Sequence, residues 1–128
     1  MSAGDDVMVK AIWFLKRRPG MSPDDFHRYW REHHGPLFCN AGPAQRYVTR
    51  YEQNHATPEN AAMSGDDFVE YDGVSIMWFR SVEDMQMMFA DPGFAHVLED
   101  GDNFLDRAAT QQIVTYAEEL FALGGAAA

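Results

Sequence analysis

The chain has 128 residues, 46% of them hydrophobic, and 20 acids against 10 Lys and Arg give it a net charge of −10. That length is one domain with material for a core, and the acidity argues against nucleic acid and anionic membranes as partners, because both need a basic footprint. No apolar run is long enough to cross a bilayer, and the opening MSAGDD lacks a basic region followed by an apolar core, so no secretory signal is read and cytoplasmic residence is expected. Cys39 is the sole cysteine. No intramolecular disulfide is therefore possible, which fits a reducing compartment, and a buried spectator thiol is expected.

Residues 1–6 are expected to be a disordered N-terminus, residues 7–118 the domain, and residues 119–128 a flexible Gly/Ala-rich tail. Val7 to Lys16 reads as a strand. Val7, Val9, Ala11, Trp13 and Leu15 share one face, while Met8, Ile12 and Phe14 share the other. Both faces are apolar, so such a strand is covered on both sides. Arg17-Arg18-Pro19-Gly20 turns the chain. Ser22 then caps a helix with Pro23 at its first position and Asp24 and Asp25 on the positive end of its dipole. Phe26, Tyr29, Trp30, His33 and Leu37 recur at helical spacing. Gly35 and Pro36 are predicted to end that helix.

Ala44 to Gln53 reads as the second strand, and His55 to Asp67 as a loop long enough to act as a lid. Val69 to Arg80 reads as the third strand. Ser81 and Asp84 open a second helix, in which Val82, Met85, Met88 and Phe89 form the buried stripe, and Asp91-Pro92-Gly93 stops it. Two short helical turns follow, and Ala108 to Ala117 reads as the last strand. The order β-α-β-β-α-β is the ferredoxin-like α+β arrangement, an antiparallel four-stranded sheet with helices on one face. The other sheet face is left apolar. An apolar area of that size marks an interface, and a twofold homodimer pairing sheet to sheet closes it into a dimeric α/β barrel.

Several short motifs stand in order along the chain: Leu15-Lys16-Arg17 before the Pro-Gly turn, Tyr29-Trp30, His34-Gly35-Pro36, Tyr51 with His55, Asp72-Gly73, Ser81 to Met85, and Phe104-Leu105-Asp106. In this order and spacing the chain resembles the EthD-domain family of the dimeric α+β barrel superfamily, from about Val9 to Glu118. The resemblance implies a homodimer with one ligand cavity per subunit, between the sheet and its helices. It also implies a choice among dehydration, decarboxylation, isomerisation and cofactor-free oxygenation of small aromatic or polyketide-like compounds. Fold transfers along such a resemblance; the reaction does not.

His34 matches the histidine of the family's His-Gly-Pro ending and is the first candidate for general acid/base chemistry. The competing reading is a histidine that merely caps the last carbonyls. Periodicity favours its neighbour: at ~100° per residue from Phe26, His33 falls near the centre of the apolar stripe and His34 at its edge. Tyr51 and His55 are candidate assistants. Trp13, Trp30, His33, Trp78, Met85, Phe89 and His96 are candidate substrate-binding residues, although aromatics at strand spacing are more often plain core. Asp72 either orients a histidine or starts a turn, and His27 is expected to be solvated. No metal or other cofactor is expected, because neither ligand-pair spacing nor a phosphate-binding loop is present. The leading reading is a homodimeric, cofactor-free lyase or isomerase acting on a small apolar or aromatic molecule. Its rivals are a cofactor-free monooxygenase of phenols and a non-catalytic binding dimer.

Overall fold

The computed structural model describes residues 8–124; Val7, the N-terminus expected to be disordered and the last four residues lie outside the described residues. Strands β1 (Val9–Leu15), β2 (Val48–His55), β3 (Gly73–Phe79) and β4 (Gln111–Tyr116) form one sheet in the order β2-β3-β1-β4. Every neighbouring pair is antiparallel. The expected ferredoxin-like α+β fold is therefore present. Its helices are α1 (Pro23–Tyr29), α2 (Gly35–Asn40), α3 (Gly42–Tyr47), α4 (Asn60–Ser64), α5 (Val82–Ala90) and α6 (Ala95–Asp100).

Strand alternation sorts the side chains as period 2 requires. Val9, Ala11 and Leu15 of β1 are buried with Ser75, Met77 and Phe79 of β3. Above them Phe38, Ala41 and Ala44 from the α2–α3 segment meet Met88 of α5, Phe94 and Val97 in one apolar cluster. A second cluster joins Leu15 to Phe26, Trp30, Phe104 and Leu105. The opposite face carries Ile12, Phe14, Val74, Ile76 and Trp78, all half-buried, and Ile113, which is exposed. The Trp78 ring lies between Lys10 and Arg50, whose charged ends sit 5.3 and 5.0 Å from its centre.

Both predicted helix starts carry their caps: the Ser22 hydroxyl accepts from the Asp25 N–H at 3.1 Å, and the Ser81 hydroxyl from the Asp84 N–H at 3.0 Å. The predicted stop at Gly35 does not occur. Gly35 stays right-handed, and the chain passes from α1 through a π turn, Trp30–His34, into α2. Pro36 supplies the reason. It has no N–H, and its ring crowds the carbonyl four residues back. Widening the turn to i→i+5 bonding absorbs both defects: the Gly35 N–H donates to the Trp30 carbonyl. Helix therefore carries Cys39 to the surface, where it is exposed rather than buried.

Residues Ala44–Tyr47 belong to α3, not to a strand, because Pro43 starts a further helix within its first turn. The segment read as a pure loop contains α4. The third strand begins only at Gly73, because Asp72 is drawn inward. Its carboxylate accepts from the Arg17 backbone N–H at 2.8 Å and from the Arg17 guanidinium at 2.5 Å. Neither orienting a histidine nor starting a turn describes that role.

Candidate active site

Asp100, the last residue of α6, has a side chain only 5% exposed. A buried carboxylate survives only when donors surround it. Tyr29 of α1 donates its hydroxyl at 2.5 Å, Asn103 its amide at 3.0 Å, and His34 its Nδ1–H at 2.8 Å. Burial alone would raise the Asp100 pKa. The hydrogen bonds from Tyr29, Asn103 and His34 outweigh it and hold the group below its ordinary value. The carboxylate is ionised at neutral pH and can only accept, so Nδ1 of His34 must carry the proton in that bond. In a neutral imidazole, Nε2 is then the free lone pair.

His34 is neutral under those conditions. Burial pushes its pKa below the usual 6.5, the bond and charge of Asp100 pull it back part of the way, and His33 and Arg107 push it down again. Its side chain is 15% exposed, against 56% for His33. Periodicity had favoured His33, and the π turn explains why the inward position falls on its neighbour. One extra residue per turn slips the register by one place, so His34 takes the site that an unbroken α-helix would have given to His33. His33 Nε2 stays 3.6 Å from Asp100, on the outer side.

His34 lines a cavity with about 50 Å³ of free space between the sheet and its helices. Trp13, Trp30, Tyr51, Met77, Phe89 and Phe104 are among the side chains that wall it. The structure thus gathers five of the sequence-predicted residues, His34, Tyr51, Trp13, Trp30 and Phe89, around one space. It separates the others. Trp78 lies on the opposite sheet face, and Met85 packs against the core without reaching the cavity. His33 and His96 border a shallow outer depression with Glu32 and Pro36. His55 lies behind the cavity wall, with its ring 4.3 Å from that of Trp30.

His27 is not free in solvent: its Nδ1 lies 2.7 Å from Nδ1 of His55. Burial, with the charges of His27 and Arg31, pushes the His55 pKa down to about 4. The sequence pattern did not single out Asp100, Asn103 or Gln53, and it placed Tyr29 in the apolar stripe and among the family markers without a role in the site. Asp100 stands 66 residues from His34 in a run of acids, and no local pattern connects the two. Among the described residues no group of three or more His, Cys, Asp or Glu side chains converges to hold a metal ion, and no helix is long and apolar enough to cross a membrane.

Fold and site together define an α+β, ferredoxin-like protein with a histidine on the wall of a mostly apolar cavity and a buried aspartate bonded behind it. The chain belongs to the EthD domain family, which matches residues 18–108. It is 29% identical over 111 residues to decarboxylase claH of Passalora fulva, covering 80% of this chain and 71% of that protein. It is 27% identical over 117 residues to the conidial pigment biosynthesis dehydratase EthD of Metarhizium robertsii, covering 84% and 81%. Its fold matches a dimeric ferredoxin-like protein from Bacteroides fragilis with a TM-score of 0.64 at 9% identity, covering 86% of this chain and 96% of the other.

Proposed function

We propose that the chain is a homodimeric, cofactor-free enzyme that acts on a small apolar, aromatic or polyketide-type molecule held between sheet and helices. His34 on the cavity wall, bonded from behind by Asp100, carries this reading. The carboxylate fixes the tautomer, so Nε2 of His34 is positioned to take a proton from carbon or oxygen of the substrate. The resulting imidazolium, paired with Asp100, then returns the proton to a leaving hydroxyl or to a carbanion. Dehydration, decarboxylation and isomerisation all fit that exchange. The names of the decarboxylase and dehydratase relatives support the first two. The free space of about 50 Å³ is well below the ~300–1,000 Å³ usual for small-molecule pockets. Substrate entry therefore requires the aromatic walls to part. Cytoplasmic residence and pairing with a second copy belong to the same reading.

The test is turnover of a panel of aromatic β-hydroxy ketones and hydroxylated aromatic acids, followed by mass spectrometry under air and under nitrogen. Loss of water or carbon dioxide by the wild type, reduced ~10²-fold or more in His34→Ala, is the expected result. Equal turnover by His34→Ala would overturn the proposal. Turnover only under air would transfer the reading to oxygenation, and binding without any product would leave a ligand carrier.

A further inference from the structure

Strand β2 carries Tyr51, Gln53 and His55 at every second position, so all three lie on the face that meets the helices. Gln53 joins its neighbours into one chain. Its Nε2 donates to the Trp30 carbonyl at 2.8 Å and to the Tyr51 hydroxyl oxygen at 3.1 Å. Its Oε1 lies 2.9 Å from His55 Nε2. The reverse amide orientation would set Oε1 against a carbonyl oxygen, acceptor to acceptor, so the π-turn carbonyl fixes the direction. His55 must then donate from Nε2, and its Nδ1 must accept from His27 Nδ1. Every donor in the chain points the same way: His27 to His55, His55 to Gln53, Gln53 to Tyr51. The Tyr51 oxygen accepts a hydrogen bond from the Gln53 amide, which leaves its own O–H for the cavity that it lines.

A second donor belongs to another residue of the same wall. The Nε1–H of Trp13, also a cavity-lining residue, is fully buried and has no hydrogen-bond partner among the described residues. A buried donor without an acceptor is costly, and a native protein rarely keeps one without a use. Trp13 lies on β1 with its ring stacked 6.2 Å from Phe89, so packing holds the donor in place.

We infer that Gln53 is a positioning residue that aims the Tyr51 hydroxyl at a substrate oxygen, with the Trp13 indole N–H as the second donor to that oxygen. The substrate class is thereby narrowed to apolar molecules bearing a carbonyl or similar acceptor. The inference rests on the proposed reading of the cavity as the substrate site. It assigns the electrophilic side of the site, on the same cavity as the base His34. Polarising a carbonyl there acidifies the adjacent carbon, which is the proton that Nε2 of His34 would remove.

The test compares two probes of nearly equal shape, acetophenone and α-methylstyrene, which differ in carbonyl against methylene. Affinities are measured by NMR titration of the full chain. The wild type is expected to prefer acetophenone by about tenfold. Trp13→Phe keeps the ring and loses the N–H, so the preference should fall about threefold or more. Gln53→Glu replaces the donor by an acceptor, which captures the Tyr51 proton. It should erase most of the preference while α-methylstyrene binding moves less than about twofold. Gln53→Met, which removes the donor without adding charge, gives the same reading if the acidic variant fails to fold. Equal binding of both probes by the wild type, or an unchanged preference in the variants, would overturn the inference and leave the cavity reading intact. Binding of neither probe would remove the cavity reading, and the inference with it.

Discussion

Asp100 does its work by being ionised and buried at once. Asp100→Asn would keep the shape, remove the charge and no longer force the proton onto Nδ1 of His34. Turnover is expected to fall about 10²-fold. The pH dependence carries a further signature. His34 is depressed below the ordinary 6.5, so the base form predominates at neutral pH and the acid limb of the wild-type rate should lie at lower pH than a free imidazole would give. Asp100 raises the His34 pKa, so in Asp100→Asn the acid limb should move to still lower pH while the plateau drops. A plateau equal to wild type would rule out the pair as the base. His55 gives a stability prediction. Its folded pKa is about 4 against an ordinary 6.5, so the unfolded chain takes up the proton first. Stability from keeping His55 neutral is present above pH 6.5 and is lost as the pH falls toward 4. Urea midpoints across that window should decline, and less steeply in His55→Gln.

The π turn between α1 and α2 is the element on which the site depends. Pro36 forces it, and the Trp30 carbonyl that it exposes is satisfied by both the Gly35 N–H and Gln53. Pro36→Ala restores an N–H and permits ordinary α-helical register. Turnover is expected to fall at least tenfold with little change in thermal midpoint, because His34 rotates away from the cavity. A variant with full activity would show that the π turn does not set the position of the base. The contact between the π turn and β3 is similarly demanding. A Cβ at Gly73 would sit 2.4 Å from Trp30 Cζ3 and 2.9 Å from the Asn54 carbonyl oxygen. Gly73→Ala should therefore destabilise the protein by about 1–3 kcal/mol, measured by urea unfolding. An unchanged midpoint would mean that the Trp30 ring has room to shift.

For the whole molecule the open sheet face and the β4 edge set the question of assembly. Ile113 and Tyr116 on β4 are half exposed, and Leu120 and Phe121 beyond it are 91% and 80% exposed. Ordinary monomers bury side chains of this kind. Native mass spectrometry should give the mass of two chains, and Ile113→Asp should shift it to one, because a twofold contact places the new charge opposite itself. A wild-type monomer at micromolar concentration would exclude the barrel. The open face is less apolar than strand pattern alone implied. Lys10 and Arg50 cover Trp78, and Arg50, Glu52 and Asn54 line the β2 side. A proposed twofold contact would therefore centre on β1, β3 and β4.

The strand and helix order, the two capped helix starts and the family were legible in the sequence, because each rests on local signals: side-chain period, a serine before an apolar run, short motifs in a fixed order. Local signals failed where one residue's chemistry is settled by distant neighbours. Gly35-Pro36 carries every local mark of a helix end, yet packing of α2 against the core, and Gln53 bonding the strained carbonyl, make a widened turn cheaper than a stop. The choice between His33 and His34 followed from that turn, beyond the reach of an ideal helical wheel. Trp78 looked like a cavity residue until its face on β3 was known. Asp100 and His27 acquired their roles only through partners 66 and 28 residues away. The sequence determined the order of the four strands and the starts of the two capped helices, because those signals are local. The tertiary structure alone decided which titratable groups meet and which are kept dry, because burial and pairing depend on where the elements pack.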